Sequence, residues 1–342
     1  MQRRKVKLRV IWSGLTALLL VGVVSCSPHD NAIKTAMVSP SPSKNETTTA
    51  NNKTTYYSGI KTNGSPISVT RIPNPKFTPY AGMPQGTKLY SLMYWSQGNQ
   101  VQAYVVVPPS RTPLPLLVNL HGGYFLKGKF HTNKFPTVTK QVAEDWAESG
   151  YINFLPNYAG YGPSGGDVGS SYGSYLDTKY GLQALSATFG SKIEANHTEL
   201  YGVSMGGFVA MKLAETDHQV KAIVLVSPWP GGSDFVSWIQ SQPSNQVDQL
   251  NMSDYFAILN REGTNNHSSW YVKNSIIFRD VKVPVLIVGG KSDPIIPPSL
   301  LSQLKAELSK YDANVELEFV PGGHAPTSYQ VVALSTFFLN SH

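Results

Sequence analysis

The chain of 342 residues contains one cysteine, Cys26. A single thiol excludes an intrachain disulfide. With no second cysteine and no H-E-x-x-H run, the familiar metal-site spacings are missing too. The glycine-rich stretch at 160–169 is followed by no lysine, which excludes a Walker A loop, and it opens no strand–helix unit of the dinucleotide-binding kind. The apolar stretch from Val10 to Val24 is about 15 residues long and is interrupted by Ser13 and Gly14, so it falls short of a spanning helix. No internal repeat is present. Net charge is +7, but five of the cations, Arg3, Arg4, Lys5, Lys7 and Arg9, precede that apolar stretch with no acid among them. Without them the balance falls to +2 and no later basic run stands out, so the composition predicts no nucleic-acid partner.

The beginning of the chain has a pattern of its own. A cationic start followed by an apolar core reads as a secretory signal. It ends in Val23-Val24-Ser25-Cys26, which resembles the lipobox of bacterial lipoproteins. That resemblance implies removal of residues 1–25, lipid on Cys26, and a protein exported across the cytoplasmic membrane and held at the cell envelope. Residues 26–64 are rich in Ser, Thr, Asn, Lys and Pro and read as a disordered tether. The remainder, 65–342, is about 275 residues, enough for one large α/β domain.

Within that domain, two strands over 88–95 and 101–107 form an expected antiparallel hairpin around Ser96-Gln97-Gly98-Asn99. Short apolar runs at 115–120, 151–156, 198–203, 222–226, 284–288 and 315–320 read as buried strands. Helical spacing appears at 138–149, 175–189, 205–214, 300–308 and 328–339. This alternation predicts a mostly parallel sheet with helices on both faces. In such sheets functional groups collect at the carboxyl ends of the strands.

Four residues fall there: His121, Ser204, Asp293 and His324. Ser204 is the centre of Gly202-Val203-Ser204-Met205-Gly206. This G-x-S-x-G run lies between a strand and a helix, so it holds the hydroxyl at the tip of a sharp turn. Asp293 can accept the Nδ1 proton of a histidine and fix its tautomer, and His324, between glycines and a helix, can bring Nε2 to the serine. The order Ser204, Asp293, His324 is that of one class of catalytic triad. His121-Gly122-Gly123-Tyr124 is the candidate oxyanion loop. It would donate through the N–H of Gly123 or of Tyr124, with the N–H of Met205 as second donor, and His121 braces the loop. The long connection at about 228–282 is rich in aromatics. These either pack a small core of their own or line an apolar pocket.

Taken together, H-G-G, G-x-S-x-G-G, G-x-S-D and G-G-H in this order resemble the α/β-hydrolase superfamily over roughly residues 85 to 340. Residues 157–166 and the run Ser292-Asp293-Pro294-Ile295-Ile296-Pro297 look similar to the catalytic domains of the prolyl-oligopeptidase group and related acyl esterases. The chain departs from that group in having no propeller before the hydrolase region and in an H-G-G-Y loop. The resemblance implies an α/β-hydrolase fold with a cap-like insertion, a serine esterase acting on a small ester, and no cofactor or metal. The alternatives are a small peptidase or aminoacyl hydrolase acting on short peptides, an acyltransferase, and an inactive binding protein.

Overall fold

A computed structural model of the chain describes residues 43–49, 52–59, 61–73, 84–133, 150–243, 253–311, 313–326 and 328–342. The expected signal, Cys26, the first part of the expected tether and the helix expected at 138–149 lie outside the described residues.

Among the described residues eleven strands form one sheet. They are β1 (Ser43–Thr49), β2 (Asn52–Ser58), β3 (Pro66–Ile72), β4 (Lys88–Ser96), β5 (Asn99–Val107), β6 (Leu114–Leu120), β7 (Ile152–Asn157), β8 (Ile193–Val203), β9 (Val220–Val226), β10 (Val285–Gly290) and β11 (Val315–Val320). Their order is β1-β2-β3-β4-β5-β7-β6-β8-β9-β10-β11. From β1 to β5 each strand is antiparallel to the next, and β5 pairs antiparallel with β7. From β7 to β11 every pairing is parallel. The reversal at β5–β7 joins a meander to a half wound by crossovers.

The expected hairpin is therefore the inner part of a five-stranded meander, and the expected tether at 26–64 needs correction. Its second half contains β1 and β2. Polar composition shows that a segment buries little, but it does not decide whether the backbone pairs. Thr54, Thr55, Tyr56 and Tyr57 favour extended backbone. Three residues of β2 register with β3, and Thr54 Oγ1 lies 3.1 Å from Thr70 Oγ1. Such an edge needs no apolar core to hold it.

Among the described residues seven helices accompany the sheet: α1 (Ser171–Phe189), α2 (Met205–Ala214), α3 (Gly232–Ser241), α4 (Ser253–Glu262), α5 (Ser269–Lys273), α6 (Pro298–Ser309) and α7 (Tyr329–Leu339). Ser170 caps α1 by accepting from Gly173 N–H, and Ser328 caps α7 by accepting from Val331 N–H. Among the described residues no helix is long and apolar enough to cross a membrane.

Alternation along the parallel strands builds two cores. Leu116, Val118, Ile223, Leu225, Val285 and Ile287 point to one face and pack with residues of α1, α2 and α6. Leu117, Ala222, Val224, Leu286 and Val288 point to the other, where Val331, Phe338 and Leu339 of α7 cover them. Being buried on both faces explains why these strands read as continuous apolar runs. The crossovers also bring the carboxyl ends of β6, β8, β10 and β11 together, so the residues that follow each strand meet at one edge of the sheet.

Candidate active site

The chain turns from β8 into α2 through Ser204, whose φ is 53° and ψ −120°. This positive φ is rare for a residue with a side chain and stores strain. Three backbone bonds hold it: Ser204 N–H donates to Val226 O (2.9 Å), and Ser204 O accepts from Gly207 and Trp229 N–H (2.9 Å each). Two glycines make the turn possible. A Cβ on Gly202 would run into the carbonyl of Gly206, and one on Gly206 would run into the carbonyl of Leu120, at the end of β6. The elbow and the adjacent strand are therefore in backbone contact.

His324 follows β11 and lies 2.9 Å from Ser204, Nε2 to Oγ. Its Nδ1 is 2.9 Å from Asp293 Oδ2 and 3.2 Å from Oδ1. Asp293 is buried. Its Oδ1 also accepts from the N–H groups of Ile295 and Ile296, each at 2.9 Å. Burial alone would push this carboxyl up, but the bonds from His324, Ile296 and Ile295 outweigh it and hold Asp293 below the ordinary carboxylate value. The stability this contributes is present above the ordinary carboxylate pKa and is lost as pH falls through the lowered one. The His324 loop is pinned by Ala325 N–H donating to Ser227 Oγ (3.2 Å). The three residues singled out in the sequence thus form one hydrogen-bonded chain, with His324 in the middle.

The loop after β6 closes over the elbow. His121 is buried, and its Nδ1–H donates to Gly122 O at 2.6 Å. Burial lowers its pKa to about 4, so the ring is neutral near pH 7. It packs against Tyr158 and Tyr161, ring centroids at 4.2 and 5.0 Å, a bracing role. The Tyr161 hydroxyl accepts from Tyr124 N–H (2.7 Å). Among the described residues no acceptor takes the N–H of Gly123 or of Met205. The sequence left the upstream donor open between Gly123 and Tyr124, and the structure gives the Tyr124 N–H to Tyr161.

Tyr161 itself was missed in the sequence, where 160–166 registered only as a glycine-rich loop. A second buried carboxylate anchors that loop: Asp177 of α1 accepts from Ala159 N–H (2.8 Å), from Gln97 Nε2 (2.9 Å) and from the Ser96 hydroxyl. Its helical position, two residues after Tyr175, gave no signal of this in the sequence.

A cavity of about 820 Å³ opens over Ser204 and His324. Phe125, Leu126, Trp229, Phe235, Ile295 and Ile296 line it. Phe125 stacks on Trp229 at 4.9 Å. The insertion's aromatics divide as the two sequence readings allowed. Trp229 and Phe235 face the cavity, Trp238 and Tyr271 are buried beyond its lining, and Phe256 is exposed. Among the described residues no group of three or more His, Cys, Asp or Glu is placed to hold a metal ion.

Known proteins share this architecture. Residues 136–252, about a third of the chain and including Ser204, match the family described as serine aminopeptidase, S33. An esterase of Pyrococcus furiosus is 17% identical with a TM-score of 0.53, over 75% of this chain and 93% of its own. An acetyl xylan esterase from a Paenibacillus species is 16% identical with a TM-score of 0.57, over 80% and 88%. The acylaminoacyl peptidase of Pyrococcus horikoshii is 12% identical with a TM-score of 0.58, over 84% of this chain but 46% of its own. At such identities the likeness establishes the fold. The chain has the α/β-hydrolase fold, and with the family match around Ser204 it is a serine hydrolase of esterase or peptidase kind.

Proposed function

We propose that the protein cleaves carboxylic esters through a Ser204–His324–Asp293 triad and an acyl-enzyme. The observation that carries this is the position of His324, whose two ring nitrogens each lie 2.9 Å from an oxygen, one of Ser204 and one of Asp293. Nε2 takes the Ser204 proton as Oγ attacks the acyl carbon, and Asp293 accepts from Nδ1–H and stabilises the imidazolium. The N–H groups of Met205 and Gly123 receive the developing oxyanion, each contributing about 3 kcal/mol to the barrier reduction. His324 then returns the proton to the leaving oxygen, and a water attacks the acyl-enzyme along the same path. An ester is favoured over a peptide because the cavity walls are mostly apolar. A panel of p-nitrophenyl esters of graded acyl length beside aminoacyl p-nitroanilides checks this. Esters should turn over at least about a hundredfold faster in kcat/KM, and a preference for the anilides would make it a peptidase.

The same proposal places the enzyme at a membrane surface through lipid on Cys26. The support is the cationic start, the apolar run and the Val23-Val24-Ser25-Cys26 junction. Two or more acyl chains anchor a protein stably without a spanning helix. Cys26→Ala should shift the protein from the membrane to the soluble fraction, and unchanged fractionation would place the anchor elsewhere.

A further inference from the structure

The chain leaves β9 through Val226-Ser227-Pro228-Trp229. This segment grips the backbone of the nucleophile from two sides: Val226 O accepts from Ser204 N–H, and Trp229 N–H donates to Ser204 O, at 2.9 Å each. It also reaches the base. Ser227 is fully buried, and its N–H donates to Val288 O of β10 at 2.8 Å. Its hydroxyl oxygen accepts from the N–H of Ala325, the residue after His324, at 3.2 Å. Ser227 and Ala325 meet across this bond with φ of 43° and 52°. Of the five non-glycine residues with positive φ among the described residues, Ser204, Ser227 and Ala325 are three. Such backbone is costly for a residue with a side chain and persists where the surroundings over-determine it. Here the three strained residues are joined through one short segment.

Upstream of His324 the loop is tied to the end of β10 by Lys291 N–H to Val320 O and Ser292 N–H to Gly322 O, at 2.9 Å each. Gly322, with φ of 130°, and Gly323 then separate that anchor from His324, and paired glycines transmit position poorly. Among the described residues the backbone hydrogen bond nearest His324 is the one that Ser227 accepts. The Nε2–Oγ contact of 2.9 Å joins the two side chains, but proton transfer needs the backbones that carry them held to about 0.5 Å. We propose that Ser227 is a positioning residue of the reaction: its hydroxyl oxygen ties the backbone beside His324 to the segment that holds Ser204, and so sets the gap across which the proton passes. The proposal rests on the triad reading above. The competing account is that the hydroxyl only satisfies a buried N–H, while the β10 contacts hold His324 unaided.

Three substitutions in the full chain separate these. Ser227→Ala removes the acceptor and keeps the strained φ. Ser227→Gly removes the acceptor and relieves the strain. Ser227→Cys keeps the shape with a weaker acceptor. With a p-nitrophenyl ester, Ser227→Ala and Ser227→Gly should lower kcat by between about tenfold and a hundredfold with KM within about twofold. Ser227→Cys should fall between them and the parent. Fluorophosphonate labelling of Ser204, which needs no substrate, should slow by the same factor. The changes are then repeated in His324→Ala. There, replacing Ser227 should alter the residual labelling rate by less than about twofold, because the group it acts through is gone. An equal loss in both backgrounds would mean that Ser227 acts on the Ser204 elbow or on folding, and would overturn the proposal. So would a folded Ser227→Gly, its Tm within a few degrees of the parent, that keeps parental kcat and labelling rate. A His324→Ala variant as fast as the parent would instead overturn the triad reading, and this proposal with it.

Discussion

Asp293→Asn should lower kcat by about 10⁴-fold with KM little changed. An asparagine keeps an oxygen for the N–H groups of Ile295 and Ile296, which both point at Oδ1. Its amide NH2 then replaces Oδ2, the atom 2.9 Å from His324 Nδ1. A donor there forces Nδ1 to be the acceptor, so the ring proton moves to Nε2. Nε2 then cannot accept from Ser204 Oγ, although the ring has not moved. The loss is therefore one of tautomer, and substrate binding is spared. Steady-state kinetics beside a Tm measurement checks this. Activity within tenfold of the parent would mean that another carboxylate orients the ring.

Gly206→Ala should be nearly as damaging, through the backbone. The added Cβ meets the carbonyl of Leu120, and a carbonyl at the end of β6 cannot swing aside as a side chain tip can. The elbow and the loop beginning at His121 would be pushed apart, costing about 3 kcal/mol as an overpacked contact and lowering Tm by roughly 6–10 °C. The same displacement separates the Met205 N–H from the Gly123 N–H. Loss of a shared oxyanion position lowers kcat by a further factor of about 10² or more. Thermal unfolding and kinetics on one preparation check both effects. A stable variant with parental kcat would show that the elbow does not depend on this backbone contact.

Much of this molecule could be read before its structure. The parallel strands were legible because both of their faces are buried, which writes largely apolar runs into β6, β9 and β10. The meeting of Ser204, Asp293 and His324 was legible because winding a parallel sheet with right-handed crossovers sends the carboxyl ends of its strands to one edge. A residue just after an apolar run therefore has a known address. That rule located Ser204, Asp293 and His324 across 120 residues without any distance information. Strands β1 and β2 escaped because their Thr and Tyr residues pair at an edge without the apolar alternation that marks a half-buried strand. Tyr161 escaped because its hydroxyl meets the N–H of Tyr124, and no local pattern encodes a contact 37 residues apart. The part of the cavity lining that α4 supplies escaped for a related reason. The insertion at about 228–282 was read for its aromatics, and which face of α4 meets the cavity depends on how that helix packs.

The account turns on Ser204 being the nucleophile that His324 activates. The most direct test is labelling of the full chain with a fluorophosphonate, followed by mass spectrometry of the peptides. The account predicts a single phosphonyl adduct on Ser204, absent from Ser204→Ala and formed at least about a thousandfold more slowly in His324→Ala. An adduct on any other residue, or labelling of Ser204→Ala at the parental rate, would contradict it.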